Sequence, residues 1–404
     1  MSERSRGERR SGRALIGAVA ATLAALFLLF LVGRSAGVAL GKLPAPGEAL
    51  QMRLLSALSM NPNYKVGPDA MRTVRTAAVA APLSYEPYFA AARAAEQAGQ
   101  IPKAIRLMEE SRARRPSHAA TRVSLMGLYA MTARYADAIS EADVAMRLNG
   151  EAQKAILPIL AQMLPYPAAR DAIADILARD PSWRAAFIET AKSKVSPADA
   201  AGLLARVRKL RGNAWSEPEG SLLVTALMRA NRFAEAHAAW LSLVPPETRK
   251  NAGLLFDGDF TGARAPAPFN WTYTSTESGR AEASAARGGE PAHLAASYFG
   301  GAPIRMAEQS LVLPAGRYRL TVRARADRAQ PSGDIFWTIA CLPAKTEIGR
   351  LAFPRFTGQY APYRTEFAVP AGCTAQTIAL AGEPGDLSQP VTMDFIQLRI
   401  QKIG

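Results

Sequence analysis

The sequence predicts a multidomain chain, α then β: a single transmembrane helix, an α-solenoid of helix pairs, and an antiparallel β-sandwich. Three observations predict it. An uncharged run, ALIGAVAATLAALFLLFLVG, fills residues 14–33. Alanines recur at a spacing of 34 residues, at Ala70, Ala104 and Ala138. After Val244-Pro245-Pro246, Ala-rich helical periodicity gives way to period-2 alternation with frequent Gly and Pro. The expected divisions are a basic tail at 1–13, the membrane span at 14–33, a linker at 34–47, a helical repeat domain at 48–250 and a sandwich at 251–404.

The run at 14–33 is long enough, at helical rise, to cross a hydrocarbon core of about 30 Å. Five Arg and two Glu precede it, and Arg34 follows. Positive charge on the cytoplasmic side then predicts an inner-membrane, single-pass chain with its N-terminus inside and its bulk in the periplasm. A cleavable signal peptide ending near Gly37-Val38-Ala39 is the competing reading. The apolar run is longer than the roughly 7–15 residues of a signal core, which favours the anchor. The segment GKLPAPG (41–47) reads as a short linker.

Charge narrows the function classes. The chain of 404 residues carries a formal net charge of +15, which raises nucleic acid as a partner. Residues 41–250 hold 28 basic and 19 acidic residues, and 251–404 hold 15 and 13. The excess is therefore spread along the helical part, with no polybasic tail and little aromatic interleaving, so nucleic acid is not expected. Two Cys and three scattered His (His118, His237, His293) make no zinc-ligand cluster.

In the middle third, the phrases GQIPKAIRLMEESRARRP (99–116) and ARYADAISEADVAMRLNG (133–150) repeat one pattern. NRFAEAHAAWLSLVPP (231–246) is a remoter copy. In each, a polar turn leads to Ile101, Tyr135 or Phe233, and three residues on comes a small Ala104, Ala138 or Ala236. The small residue lets two helices approach closely, and a terminal Pro or Gly stops the second helix. This period resembles tetratricopeptide repeats, covering about 48–150 closely and 217–250 more loosely. Ala92 and Met126 stand where the family usually has Gly. Between 151 and 216 the register slips, although AARDAIADILARDP (168–181) and PADAAGLLARVRKL (197–210) stay helical. The resemblance implies a surface that binds a partner protein, with a structural spacer as the alternative. The run Arg206, Arg208, Lys209, Arg211 reads as the solvated face of a helix.

In the last third, Arg317–Ala326 (RYRLTVRARA) places Tyr318, Leu320, Val322 and Ala324 on one face, and Arg317, Arg319, Thr321, Arg323 and Arg325 on the other. IFWTIAC (335–341), YRTEFAV (363–369) and VTMDFIQLRI (391–400) read as further strands. AGLLFDGDF (252–260), APFNW (267–271), LPAGRYRLTVRARA (313–326) and the closing VTMDFIQLRI resemble jelly-roll carbohydrate-binding modules. The resemblance implies that Asp394, with Asp257 or Asp259, holds a structural Ca²⁺. Strand parity puts Asp394 on the face of Ile396, Leu398 and Ile400, where a carboxylate needs a cation or several donors; hydrogen bonding to loop amides is the alternative. The Arg face suggests acidic polysaccharide at Arg319 and Arg323, against the alternative of cross-strand pairing with acids such as Glu366. Trp271 and Trp337 read as core, and Tyr360 as the exposed sugar platform. Cys341 and Cys373, in an exported domain, are expected to pair, closing a loop of about 33 residues for roughly 3–4 kcal/mol.

No nucleophile elbow, phosphate loop or His-Glu metal pattern is present, so binding is expected rather than catalysis. The expected function is an envelope scaffold in polysaccharide assembly or export, with a pure protein adaptor or a carboxylate-based glycan hydrolase as alternatives.

Overall fold

The computed structural model describes residues 66–212, 217–249, 252–327, 333–353, 358–384 and 390–403. The expected tail, membrane span and linker lie outside the described residues. Among the described residues no helix is long and apolar enough to cross a membrane. The chain forms two compact units, divided between Ala214 and Trp215 rather than at the change of periodicity near 250.

The first unit is helical: α1 (Pro68–Ala80), α2 (Glu86–Gln97), α3 (Ile101–Arg114), α4 (Ala119–Met131), α5 (Tyr135–Leu148), α6 (Gly150–Met163), α7 (Pro167–Leu177), α8 (Arg184–Lys192) and α9 (Pro197–Leu210). Several begin with Pro in the first turn, where the missing N–H costs nothing. From α1 to α6 each helix packs on its predecessor; further on, α8 packs on α6 and α9 on α7. Ala92, Ala104 and Ala138 are wholly buried, as their lack of bulk at the helix contacts requires.

The second unit opens with α10 (Glu217–Arg229), α11 (Phe233–Leu241) and the single turn α12 (Pro246–Arg249), and continues into the sandwich. The helices belong here because Val224, Leu227, Ala236, Trp240, Leu243 and Val244 share one apolar cluster with Phe256 and Phe269. The Trp240 indole N–H also donates to the Pro266 carbonyl at 2.6 Å. The phrase at 231–246 that looks like another repeat thus makes its core with the strand-rich region.

The sandwich strands are β1 (Thr272–Tyr273), β2 (Ser275–Thr276), β3 (Gly279–Ser284), β4 (His293–Tyr298), β5 (Ile304–Leu311), β6 (Gly316–Ala326), β7 (Gly333–Leu342), β8 (Thr346–Ala352), β9 (Ala361–Val369), β10 (Ala375–Pro384) and β11 (Val391–Lys402). They form two antiparallel sheets, ordered β1-β5-β10-β7-β8 and β2-β3-β4-β11-β6-β9. Between them lies a core in which Trp271, Trp337, Phe353 and Phe395 meet ring against ring. Cys341 and Cys373 are joined by a disulfide, with their Cα atoms 5.5 Å apart.

β11 departs from simple alternation. Its pairing with β6 shifts register between Ile396 and Arg399, and Gln397 takes a left-handed φ of 55°. This β-bulge inserts one residue and so reverses the parity of everything after it. Met393 and Phe395 face the core before the bulge, and Leu398 and Ile400 face it afterwards. Asp394 therefore lies on the outer face. This corrects the parity reading, which carried one alternation through the whole strand.

Candidate functional site

The outer face of the six-stranded sheet, across β9, β6 and β11, holds the charged groups that the sequence singles out. Arg319 lies opposite Glu366 in the β6–β9 register. It donates to that carboxylate at 2.8 Å, while Arg317 reaches the other oxygen at 3.1 Å. The Arg319 hydrogen bond holds the Glu366 carboxyl below the usual carboxylate range. Arg319 is thus engaged in an exposed cross-strand pair.

Arg323 is different. It is exposed, and its guanidinium donates to a neutral acceptor, the Tyr360 carbonyl, at 3.1 Å. Tyr360 does sit beside Arg323, but it is half-buried, and the Arg325 guanidinium lies 4.6 Å from its ring centroid. Burial pushes the Tyr360 phenol up, and its hydroxyl has no hydrogen-bond partner. One face of the ring is therefore capped by a cation.

The three aspartates expected at a cation each have their own partners. The Asp257 carboxylate caps its own loop, accepting from the Thr261 N–H and hydroxyl (2.8 and 2.7 Å), the Gly262 N–H (3.0 Å) and the Ala263 N–H (3.1 Å). Asp259 pairs with Arg399 at 2.5 Å. Asp394 accepts from Arg325 at 2.9 Å and lies 3.8 Å from His293. Among the described residues no group of three or more His, Cys, Asp or Glu is placed to hold a metal ion. The lead-in segment and the last strand are nonetheless bridged. The Leu398 N–H, freed by the bulge, donates to the Gly258 carbonyl at 2.8 Å. A Cβ on Gly258 would come within 2.1 Å of the Leu398 carbonyl oxygen, so only glycine permits this approach. Backbone contact and the Asp259–Arg399 pair join the lead-in segment to the last strand.

Next to this stitch, a groove of about 510 Å³ crosses the outer face, lined by Thr321, Arg323, Pro362, Arg364, Gln397 and Arg399 together with Val322 and Tyr363. No carboxylate lines it. Arg364 and Arg399 were not singled out in the sequence. Arg364 could have been, since it alternates with Glu366 on β9. Arg399 could have been as well, since it alternates with the apolar Leu398 and Ile400; what the bulge changes is the side on which Asp394 lies.

A second shallow groove, of about 330 Å³, lies on the outer face of the five-stranded sheet, over Ala340, Ala381 and Gly382. Within it Glu347 accepts from Arg350 at 3.0 Å and from the Thr338 hydroxyl at 2.8 Å, and Arg350 also covers the Phe336 ring. The Arg350 hydrogen bond holds the Glu347 carboxyl low.

No protein-family model matches the chain, and no curated protein matches it. Among solved structures, it is similar to one described as "CBM4 structure and function", at 13% identity over 28% of this chain and 84% of that one, with a TM-score of 0.21. It is also similar to TmCBM61 in complex with β-1,4-galactotriose, at 14% identity over 33% and 88%, with a TM-score of 0.22. A third is the N-terminal cellulose-binding domain of Cellulomonas fimi β-1,4-glucanase C, at 14% identity over 36% and 93%, with a TM-score of 0.24. At these identities and scores the likenesses assign no ligand to this chain.

Proposed function

We propose that this chain is a membrane-anchored periplasmic binding protein of the cell envelope, acting in polysaccharide assembly or export. Residues 14–33 would hold it in the inner membrane. The tetratricopeptide-like helices would carry a partner protein, and the sandwich would contact glycan. The observation that supports this reading is the groove across β9, β6 and β11, with three guanidiniums and no carboxylate in its lining. Guanidinium forks recognise oxyanions and sugar hydroxyls by directed N–H donors, which is binding rather than bond-making chemistry.

The test uses the full chain in detergent, titrated with purified envelope polysaccharides, with the polymers then checked for shortening. Retention without shortening is expected. Binding to membrane proteins with no retention of any polysaccharide would replace this reading by a pure adaptor. Shortened chains would replace it by a hydrolase.

A further inference from the structure

We infer that Arg323, Arg364 and Arg399 form a carboxylate-binding subsite for an acidic polysaccharide, and that Asp259 is an internal carboxylate competing for one of its guanidiniums. This rests on the glycan-binding reading above and adds the ligand class and the residues that select it.

The subsite is assembled by register. Thr321 on β6 pairs with Arg364 on β9 and with Arg399 on β11, so these three residues form one row across adjacent strands. Strand spacing puts the two flanking arginines roughly 10 Å apart at the backbone, with Arg323 about 7 Å further along β6. The groove between them is floored by Thr321 and Pro362 and edged by the Gln397 amide. Without the bulge at Gln397, Arg399 would share the core-facing parity of Met393 and Phe395. The extra residue re-aims it into the groove, at the cost of a left-handed backbone at a non-glycine position.

Charge balance then singles out an anion. Among the described residues, Arg364 is exposed and its guanidinium has neither an ion pair nor a hydrogen bond, and the Arg323 guanidinium meets only the Tyr360 carbonyl. Arg399 is the one lining arginine with a carboxylate, and that carboxylate, Asp259, is about half exposed and comes from outside the groove lining. Such an exposed pair is weak and exchangeable. A uronic-acid chain laid along the row would bring carboxylates to Arg364 and Arg323 and displace Asp259 from Arg399. A nucleic acid fits less well, since the aromatic ring in the groove lining, Tyr363, packs against Phe353.

The experiment titrates the full chain in detergent with polygalacturonate and with the same polymer fully methyl-esterified, which removes the charge and keeps the sugar. Binding of the acid form alone is expected. Arg364→Gln should weaken it about threefold to fivefold, and Asp259→Asn should tighten it about twofold. Arg305→Gln, the same charge change on the other sheet, should leave it unaltered. Equal binding of the two polymers would overturn the subsite while leaving the glycan reading intact. Equal weakening by Arg364→Gln and Arg305→Gln would overturn it as mere net charge. Retention on anionic phospholipid vesicles with no binding of either polymer would overturn both readings.

Discussion

In the helical unit the Glu141 carboxylate is 5% exposed and sits between two arginines, Arg112 and Arg122, contributed by neighbouring helices. In the sandwich strands the buried polar side chains, Ser297, Gln309, Thr338 and Gln376, carry no charge. The two regions stabilise their interiors in different ways, and the backbone explains why. A helix satisfies its own N–H and C=O groups, so a side chain between helices needs only another side chain, and an ion triad fits. In a sandwich, loops that cross the end of the core arrive with unpaired backbone groups. An amide side chain supplies both a donor and an acceptor for them. Gln309 accepts from the Phe256 N–H at 3.1 Å and donates to the Phe256 carbonyl at 3.0 Å, as a neighbouring strand would. Gln376 does the same for Leu313 and also donates to the Cys373 carbonyl at 3.0 Å.

The contrast is best broken at Gln376. Gln376→Leu leaves three buried backbone groups without partners and is expected to cost about 3–4 kcal/mol, read as a lowered denaturant midpoint of the second unit. Glu141→Gln should cost less, about 2–3 kcal/mol in the first unit. One arginine of the triad is a third exposed, and the amide still accepts one hydrogen bond. A larger loss at Glu141 than at Gln376 would show that charge, not backbone satisfaction, dominates both interiors.

The smallest expected effect sharpens the comparison through pH. His118, at the start of α4, packs against Tyr85 and Phe89, bonds the Thr121 hydroxyl at 2.8 Å and lies near Arg115. Burial, aided by that cation, holds its pKa down at about 4, against 6.5 for the free side chain. Between these values the unfolded chain binds the proton and the folded chain does not. Stability is then complete above the free value and falls as pH drops through the window, by on the order of 2 kcal/mol. His237, half-buried against Trp240 and Phe269, is lowered too, so both units weaken in the same direction. His118→Asn, which removes the titrating ring and places a favoured residue at the N-cap, should flatten the slope for the helical unit alone. An unchanged slope in thermal melts from pH 7 to 4.5 would remove His118 from the account.

How far these features were legible depends on how local they are. The alternation in β6 was readable because a strand two-faced by burial shows its period in any window, and Tyr318, Leu320, Val322 and Ala324 are indeed core. The Arg319–Glu366 pair was readable as one of two alternatives, since opposite charges on adjacent strands need only register. Asp394 was misplaced because the bulge at Gln397 leaves no mark in an apolar–polar pattern. The bulge is held by the Leu398 N–H donating to the Gly258 carbonyl, more than a hundred residues away in the chain. The helices at 217–241 look like a further repeat because periodicity reports that a helix has an apolar face, not what covers it. Trp240 found Phe256 and Phe269.

By itself, then, the sequence determined the order of helical and strand-rich regions, the inward residues of β6, and where charge is dense. These follow from spacing along the chain and the period of the backbone. Only the tertiary structure decided that Asp394 faces outward, that Arg399 comes beside Arg364 and Arg323, that Asp259 holds it, and that Tyr360 lies under Arg325. Those outcomes depend on register between strands distant in sequence, and one inserted residue is enough to change which side of the sheet a charge occupies.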